Sequence, residues 1–420
     1  MIVRGRLSNG TRVLTESMPH VRSVSIGVWL TRGSRHEDNH SGGIAHFVEH
    51  MLFKGTASRS AEDIAQVIDS IGGQLDAFTA KEYASYYMKV LDEHLPLAVE
   101  ILSDIVMNPA MKPDDVEREK KVVLEEIKMV EDTPDDLVHE LFTQSFWHGH
   151  PLGRPILGTP ESVESLSPAG LREYFHSTYT ADAIIIAAVG NLEHERVQGL
   201  LEAAFGGLET HGRKVEDHPP TVVPHVTVRT KDLEQSHVCV GTTAYPQNHE
   251  DRYVLYVMNT LLGGSMSSRL FQNVREKRGL AYSVFSSLSS YRDAGSFTVY
   301  AGCANEAVDE VIDLIVAELR GLKQAPPPEA ELRRAKDHLK GSLMLSLENT
   351  ASRMSHLARQ EIYFDRQFSL DETLEGIESV TAESIQRVAR SLFTNGSLAA
   401  TVLGQLDGWQ LGSARLDLGS

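Results

Sequence analysis

Three residues with the side chains of a hydrolytic metal site, His46, Glu49 and His50, stand close together in the stretch Gly-Gly-Ile-Ala-His-Phe-Val-Glu-His-Met-Leu-Phe-Lys-Gly-Thr, residues 42–56. Histidines four residues apart share one face of a helix, and Glu49 lies beside that face. Two neutral imidazoles can bind zinc, while a nearby carboxylate can take a proton from water at the metal. The order His-x-x-Glu-His reverses that of the common zincins and is the inverzincin pattern.

A metal site has to be weighed against an ordinary structural role for these residues. A histidine pair on a helix belongs more often to a solvated surface or a satisfied core than to a metal centre. Here the apolar neighbours Phe47, Met51 and Leu52 would bury the motif, and burying three ionisable groups is costly unless a metal or polar partners compensate. The pattern therefore favours a metal site, on a helix for which Ser41 is the expected cap.

A second helix, predicted after Pro113, carries two candidate carboxylates, Glu119 and Glu126. They are seven residues apart and so lie two turns apart on one face. A charged helix is usually a solvated face, but Val122 and Val123 lie on the stripe between the carboxylates and would turn it inward. We select Glu126 as the third zinc ligand beside the two histidines, with a fourth position open for water. Glu119 would then orient a ligand from behind.

The bulk composition limits the class of protein. At 420 residues the chain is too long for one ordinary core and predicts two or three domains. Its 41% hydrophobic and 23% charged residues are typical of a soluble globular protein. A formal charge of -18 without a basic patch argues against nucleic acid as a partner and would suit basic peptides. No stretch has transmembrane length and no apolar leader is seen, so we expect a cytoplasmic protein with no membrane partner.

The segments around the motifs predict both strands and helices. Residues 11–33 indicate a short hairpin, and residues 74–91 indicate two adjacent strands. The continuous apolar run 183–189 predicts a central strand that is fully covered. Helices are predicted over 61–72, over 95–107, after Pro113 and over 193–205.

The second half of the chain repeats the first at an offset of about 214 residues, for example in Val24-Ser-Ile-Gly and Val238-Cys-Val-Gly241. One repeat of this size indicates two domains of like fold. We expect a catalytic zinc-binding domain at 1–212, a proline-rich linker at 213–224 and a homologous domain at 225–420. Gly341 falls opposite Glu126, and the segment opposite the histidines has no His or Glu. Only the first domain can therefore bind the metal.

The second domain has a different candidate pair, Arg275 and Tyr282. A basic helix end that is stopped by Gly279 and followed by a strand is an ordinary structural pattern. Alternatively, both side chains reach across a cleft to the zinc, where the tyrosine hydroxyl could stabilise an oxyanion and the arginine could hold a backbone carbonyl. The pattern itself leaves these two alternatives open.

Taken together, the motifs Gly33-Ser-Arg-x-Glu37, His46-x-x-Glu-His50 and the glutamate at 126 resemble the pitrilysin or insulinase peptidases. Within that family the chain is most similar to bacterial relatives of mitochondrial processing peptidase, nearly end to end. The resemblance implies one zinc ion per chain, bound by the two histidines and the residue at 126. It further implies Glu49 as general base, Glu119 as a supporting carboxylate, and the family's later Arg and Tyr at 275 and 282.

The resemblance also implies the fold and the way in which a substrate binds. The fold class is α+β, with two duplicated α/β-sandwich domains, each a mixed, mostly antiparallel sheet covered by helices. Family members add an extended peptide to a sheet edge near the zinc, and the matching strand is 73–79. The expected substrate-binding residues there are Leu75, Asp76, Ala77, Phe78 and Thr79. Asp76 stands where relatives usually have Asn, and this difference affects side-chain contacts more than backbone pairing.

Two further acidic residues, Asp136 and Glu140, match positions that receive an arginine near the cleavage site in the mitochondrial enzyme. Because residues 131–140 are acidic throughout, a plain solvated helix is the alternative. Relatives close a chamber with four such domains, so the two domains here imply a homodimer, or a heterodimer with a chain that lacks the motif. We expect a zinc-dependent endopeptidase that cleaves unfolded peptides inside this chamber. The alternative is a non-catalytic core subunit of a larger assembly.

Overall fold

The structure is a computed structural model that describes residues 2–212 and 216–419, so the first three residues of the predicted linker, 213–215, lie outside the described residues. The strands are β1 (Ile2–Arg6), β2 (Arg12–Ser17), β3 (Ser23–Leu30), β4 (Gln74–Thr79), β5 (Ala84–Leu91), β6 (Ile184–Gly190), β7 (Val226–Thr230), β8 (Gln235–Ala244), β9 (Ala281–Ser290), β10 (Gly295–Ala304) and β11 (Ala399–Gly404). The helices are α1 (Ile44–Leu52), α2 (Ala61–Ser70), α3 (Leu95–Met107), α4 (Pro113–Asp132), α5 (Pro134–Phe146), α6 (Pro160–Ser165), α7 (Pro168–Thr178), α8 (His194–Phe205), α9 (Arg252–Leu262), α10 (Val308–Gln324), α11 (Glu329–Ser346), α12 (Thr350–Phe364), α13 (Leu370–Glu378) and α14 (Ala382–Leu392).

The chain packs into two compact units that exchange helical segments. The first unit consists of Met1–Met129, Arg154–Glu216 and Leu345–Gln367, and the second consists of Val130–Gly153, Asp217–Met344 and Phe368–Ser420. Helix α5 from the first half of the sequence therefore belongs to the second unit, and α12 from the second half belongs to the first. The predicted domain bounds, 1–212 and 225–420, stay a prediction.

The sheet of the first unit has the strand order β1-β2-β6-β3-β5-β4. Strand β6 is parallel to β2 and antiparallel to β3, and all seven of its residues are buried, which confirms the predicted central strand. The predicted hairpin over 11–33 is wrong, because β6 inserts between its two strands. A strand without a polar face is stable only where both of its faces are covered. The two adjacent strands predicted over 74–91 are confirmed as the antiparallel pair β4 and β5.

The sheet of the second unit repeats this arrangement with the order β7-β11-β8-β10-β9. The parallel pair β7–β11 corresponds to β2–β6, and the other pairs are antiparallel. In each unit, helices from both halves of the sequence cover the sheet: α3 and α12 in the first unit, α10 and α5 in the second. The fold class is thus confirmed as α+β, with two like units of mixed, mostly antiparallel sheet under helices.

Two glycines at matching positions of the repeat, Gly27 and Gly241, mark where an exchanged helix crosses each sheet. A Cβ on Gly27 would lie 3.1 Å from Met354 Cε of α12, and a Cβ on Gly241 would lie 2.7 Å from Phe142 Cζ of α5. A Cβ at either position would crowd the side chain that the crossing helix lays against the strand. The repeated segment therefore preserves the same close approach of helix and strand in both units.

A search of the described residues for membrane spans finds no helix with the length and apolar character that crossing a bilayer requires.

Candidate metal centre

Helix α1 brings the two predicted histidine ligands together. His46 Nε2 and His50 Nε2 lie 3.2 Å apart, one helical turn from each other. The helix also carries Phe47, Val48, Met51 and Leu52 on its other faces, all fully buried in the core of the first unit. The amphipathic pattern of the motif thus fixes the back of the helix and turns the imidazoles to the opposite side.

Helix α4 supplies the predicted third ligand. Glu126 Oε2 lies 3.7 Å from His46 Nε2 and 3.5 Å from His50 Nε2. The inward face predicted for this helix is half right: Val123 is fully buried, but Val122 is 43% exposed. The helix is anchored by Val123, and Val122 leaves the core because it lies a further 100° around the helix axis.

The three convergent atoms fit a zinc ion. One carboxylate oxygen and two imidazole nitrogens within 4.8 Å of one another form a donor set that zinc accepts. Glu126 Oε2 is buried and has no hydrogen-bond partner among the described residues, as expected of an atom whose partner is a cation. Burial, and then the neighbouring His50 charge, lower the pKa of His46 to about 4, which keeps that imidazole in the neutral form that metals bind.

Behind His50, a carboxylate and an amine extend the centre. His50 Nδ1 donates to Glu119 Oε1 over 2.8 Å, and Lys54 Nζ donates to Glu119 Oε2 over 2.7 Å. Burial opposes ionisation of Glu119, but these two hydrogen bonds outweigh it and lower the pKa of that carboxyl. An ionised Glu119 holds the proton of His50 on Nδ1 and leaves Nε2 free for a metal. Sequence reasoning found Glu119 and missed Lys54, although Lys54 lies only four residues after His50.

Glu49, the predicted base, lies on α1 near the end of strand β4. Its Oε2 accepts a hydrogen bond from Thr79 Oγ1, the last residue of that strand. Burial raises the pKa of Glu49 above its usual value, and the Thr79 hydrogen bond offsets only part of this effect. A carboxylate of raised pKa is a stronger base, which suits proton transfer from water.

The loop that precedes α1 holds the helix by its N-terminus. Both carboxylate oxygens of Glu37 accept backbone hydrogen bonds of 2.9 Å, one from Gly43 and one from Ala45. The expectation that Ser41 caps the helix is wrong, since Gly43 is the capping residue and makes no side-chain cap. A buried helix end needs acceptors for its first N–H groups, and here a carboxylate from six residues upstream provides them.

The same loop also holds the hairpin of β4 and β5. Arg35 Nη1 and Glu82 Oε1 lie 2.6 Å apart in an ion pair whose side chains are almost fully buried. The backbone N–H groups of Ser34 and Arg35 donate to the carbonyls of Ala80 and Lys81 in the hairpin turn. One short loop therefore positions both α1, which carries the candidate ligands, and β4, the strand that ends beside Glu49.

Arg275 and Tyr282 come together in the second unit. Arg275 lies in a π-helical segment, Phe271–Glu276, and its guanidinium carbon is 4.7 Å from the ring centroid of Phe271 and 5.5 Å from that of Tyr282. Tyr282 is the second residue of strand β9 and is 78% exposed. Cation–π contacts of this kind orient the arginine while leaving its N–H groups available to a ligand.

Asp136 and Tyr282 line one cavity of the second unit, with a volume of about 520 Å³. Its other lining residues include one further carboxylate, two phenyl or phenol rings and two imidazoles: Asp135, His139, Gln235, His237, Ser283, Phe285, Tyr300 and Gly302. The His139 ring stacks on Tyr300 at 5.1 Å, which no sequence signal indicated. Glu140, one turn beyond Asp136, accepts a hydrogen bond from Gln144.

Comparison with known proteins identifies the family. The family model described as insulinase (peptidase family M16) matches residues 12–160, and that described as the peptidase M16 inactive domain matches residues 165–339. The Bacillus subtilis protein named as the uncharacterized zinc protease YmxG is 44% identical over 402 residues, which cover 96% of this chain and 98% of that protein. The chain therefore belongs to the insulinase family of peptidases.

Solved structures share the fold over nearly the whole length. A protease from Helicobacter pylori superposes with a TM-score of 0.90 at 23% identity, over 96% of this chain and 99% of that one. A chain of complex III from Candida albicans superposes with a TM-score of 0.85 at 24% identity, over 99% of both chains. A protease and a chain of complex III thus share one architecture, so the fold alone does not assign an activity.

We expect Arg35→Met to lower the free energy of unfolding of the first unit by about 3–5 kcal/mol, because the Glu82 carboxylate stays buried without its guanidinium. Chemical denaturation followed by tryptophan fluorescence measures this loss. The double variant Arg35→Met/Glu82→Leu removes both charges and should recover most of the stability. A double variant that is no more stable than Arg35→Met would show that the pair does not act as a unit.

Proposed function

We propose that this chain is a zinc-dependent endopeptidase that hydrolyses unfolded peptides. The observation that carries the proposal is the convergence of His46 Nε2 and His50 Nε2 on α1, the helix that also bears Glu49, with Glu126 Oε2 on α4, all within 4.8 Å of one another. Relatives named as zinc proteases and the insulinase family match support the same chemistry.

In this proposal the two histidines and Glu126 hold one zinc ion per chain. Zinc, when bound there, supplies the Lewis acidity that acidifies water and polarises the scissile carbonyl. Glu49 accepts the proton of the attacking water and delivers it to the leaving amine. Glu119 keeps the His50 ring oriented throughout. Following the family resemblance, the Tyr282 hydroxyl would donate a hydrogen bond to the developing oxyanion, and Arg275 would hold a backbone carbonyl of the peptide.

The outer edge of β4 is the proposed binding surface for the peptide. β4 is the last strand of its sheet among the described residues. The backbone of Ala80 hydrogen-bonds to that of Tyr83 across the turn. Along an antiparallel pair, residues whose N–H and C=O groups bond to the partner strand alternate with residues whose groups point away from it. The N–H and C=O groups of Leu75, Ala77 and Thr79 therefore point outward. An extended peptide can bond to them by β-addition, which a folded protein cannot do without unfolding locally.

Glu49→Gln should retain zinc and lose about 10²- to 10⁴-fold in the rate of peptide cleavage, because the amide cannot accept the proton. The assay is cleavage of a quenched fluorescent peptide, with zinc content measured on the same sample. The matched control is Glu62→Gln on the exposed face of α2. A Glu49→Gln variant that cleaves as well as the control would contradict the assignment of the base.

The same assay separates the peptidase from its rival, the non-catalytic core subunit that the family resemblance also allows. Activity that chelation removes and zinc restores, with a folded protein left intact, supports the peptidase. Zinc-loaded protein that cleaves no peptide supports the core subunit.

We further propose a preference for a basic residue near the cleaved bond, received by Asp136 and Glu140. The carboxylates of Asp135 and Asp136 beside the rings of Phe285 and Tyr300 suit a guanidinium, which combines charge with a flat face. Asp136→Asn should reduce the Arg-over-Gln preference about tenfold, the loss of one charge-assisted hydrogen bond. Sequencing of the products from a peptide library measures the preference. A wild-type profile without Lys or Arg enrichment would remove this proposal.

We also propose that two copies of the chain form a homodimer that encloses the peptide. The chain supplies two of the four domains that the family resemblance implies for a closed chamber. Light scattering on the zinc-loaded protein should give twice the mass of one chain, and a folded substrate should resist cleavage while its unfolded form is cut. A monomer that cleaves at the full rate would overturn the chamber.

A further inference from the structure

The side chain of Asp76 covers part of the open edge of β4. Asp76 Oδ1 accepts a hydrogen bond of 2.8 Å from the backbone N–H of Ala77, and Oδ2 accepts one of 3.0 Å from the Tyr87 hydroxyl. Exposure alternates along the strand, with Gln74, Asp76 and Phe78 exposed and the residues between them half-buried. Asp76 therefore lies on the face of the sheet opposite to the one on which Thr79 meets Glu49.

The backbone N–H of Ala77, which Asp76 covers, is one of the groups to which the proposed peptide would hydrogen-bond. Asp76 and Tyr87 are an inward-bonded pair, so the next residue, Ala77, presents its N–H to the outer edge. A peptide added there must bring a carbonyl to this N–H. The Asp76 carboxylate already occupies that position, so peptide binding has to displace it.

We propose that Asp76 covers the edge amide of Ala77 until a peptide displaces it and then pairs with a basic side chain of that peptide. This inference rests on the proposed function, since it assigns part of the specificity of the same binding edge. The displaced carboxylate stays at the edge, and residues directly opposite each other on neighbouring strands share a face, with Cβ atoms about 4.5–5.5 Å apart. A lysine or arginine opposite Asp76 thus restores the hydrogen bonds that the carboxylate loses.

The surface beside Asp76 suits a long basic side chain. Phe78, two residues along on the same face, is 36% exposed and packs edge-on against Trp29 at 5.7 Å and Tyr83 at 5.9 Å. Lysine and arginine lay their aliphatic stems along such apolar rings and keep the charged end in water. Diagonal neighbours on adjacent strands are within reach of long side chains. Asp76 and Phe78 therefore form one subsite for a basic residue.

This subsite is separate from the cavity of Asp136. Asp76 belongs to the first unit, whereas the residues that line the cavity of Asp136 all belong to the second. A library profile should then show two basic positions, each of which responds to one acidic variant only.

Binding to zinc-loaded Glu49→Gln protein tests the inference without turnover. Fluorescence anisotropy compares a peptide series in which a single lysine is moved along a neutral sequence with the same series carrying glutamine. We expect one position at which lysine binds about two- to fivefold tighter and which is lost in Asp76→Asn, the range for an exposed ion pair. Asp69→Asn, on the exposed face of α2, is the matched control and should keep the difference.

Hydrogen exchange tests the cover itself in the free protein. Asp76→Ala removes the acceptor and should speed exchange of the Ala77 amide, whereas Asp76→Asn keeps an oxygen acceptor and should leave it protected. The Asp76→Ala protein should also bind the neutral peptide more tightly, because nothing has to be displaced. Unchanged exchange in Asp76→Ala would overturn the cover.

The remaining outcomes separate this inference from the proposed function. Peptides that bind without a lysine position dependent on Asp76 would overturn the inference and leave the peptidase standing. A zinc-loaded protein that binds and cleaves no peptide at all would overturn the proposed function and the inference with it.

Discussion

The buried carboxylate of Glu37 is the contact on which the metal centre depends. It satisfies the first N–H groups of α1, and this helix carries both histidines and Glu49. A helix end buried without acceptors would be costly. Burial raises the pKa of Glu37 to about 8, and the hydrogen bonds from the Ala45 and Gly43 amides offset only part of this effect. Two residues earlier, Arg35 pairs with Glu82 in the hairpin turn. The distance between the ligands and the edge strand is therefore set by one loop rather than by the helix and the strand separately.

In the proposed function, one face of β4 lies beside the catalytic base and the other face contacts side chains of the peptide. On one face Thr79 meets Glu49, and on the other Asp76 and Phe78 are exposed to solvent. This division follows from the two-residue period of a strand, which any peptide added alongside would share. Alternate side chains of such a peptide would then face either α1 or the surface formed by Asp76 and Phe78. The backbone would supply affinity without sequence preference, and Asp76 would supply part of the preference.

The duplication of the fold places the candidate metal ligands in one unit and a different set of polar side chains in the other. The second unit repeats the strand order but has a π-helical segment, Phe271–Glu276, that orients Arg275, and a cavity that Asp136 and Tyr282 share. Each unit is completed by a helix from the other half of the sequence, packed close to Gly27 or Gly241. A chain cut at the predicted linker would therefore leave one face of each sheet without its helix.

Local and periodic features were determined by the sequence itself. The spacing of His46 and His50, the seven-residue interval from Glu119 to Glu126, and the apolar run of β6 act within one helix or strand, so their patterns sufficed. Tertiary structure decided the rest, because it depends on contacts between residues distant in sequence. Strand β6 lies between the two strands of the expected hairpin, and Glu37 rather than Ser41 accepts the hydrogen bonds of the α1 N-terminus. Lys54 pairs with Glu119, and α5 and α12 each pack in the unit formed mainly by the other half of the sequence. Burial and backbone pairing selected these partners, and no spacing along the chain encodes them.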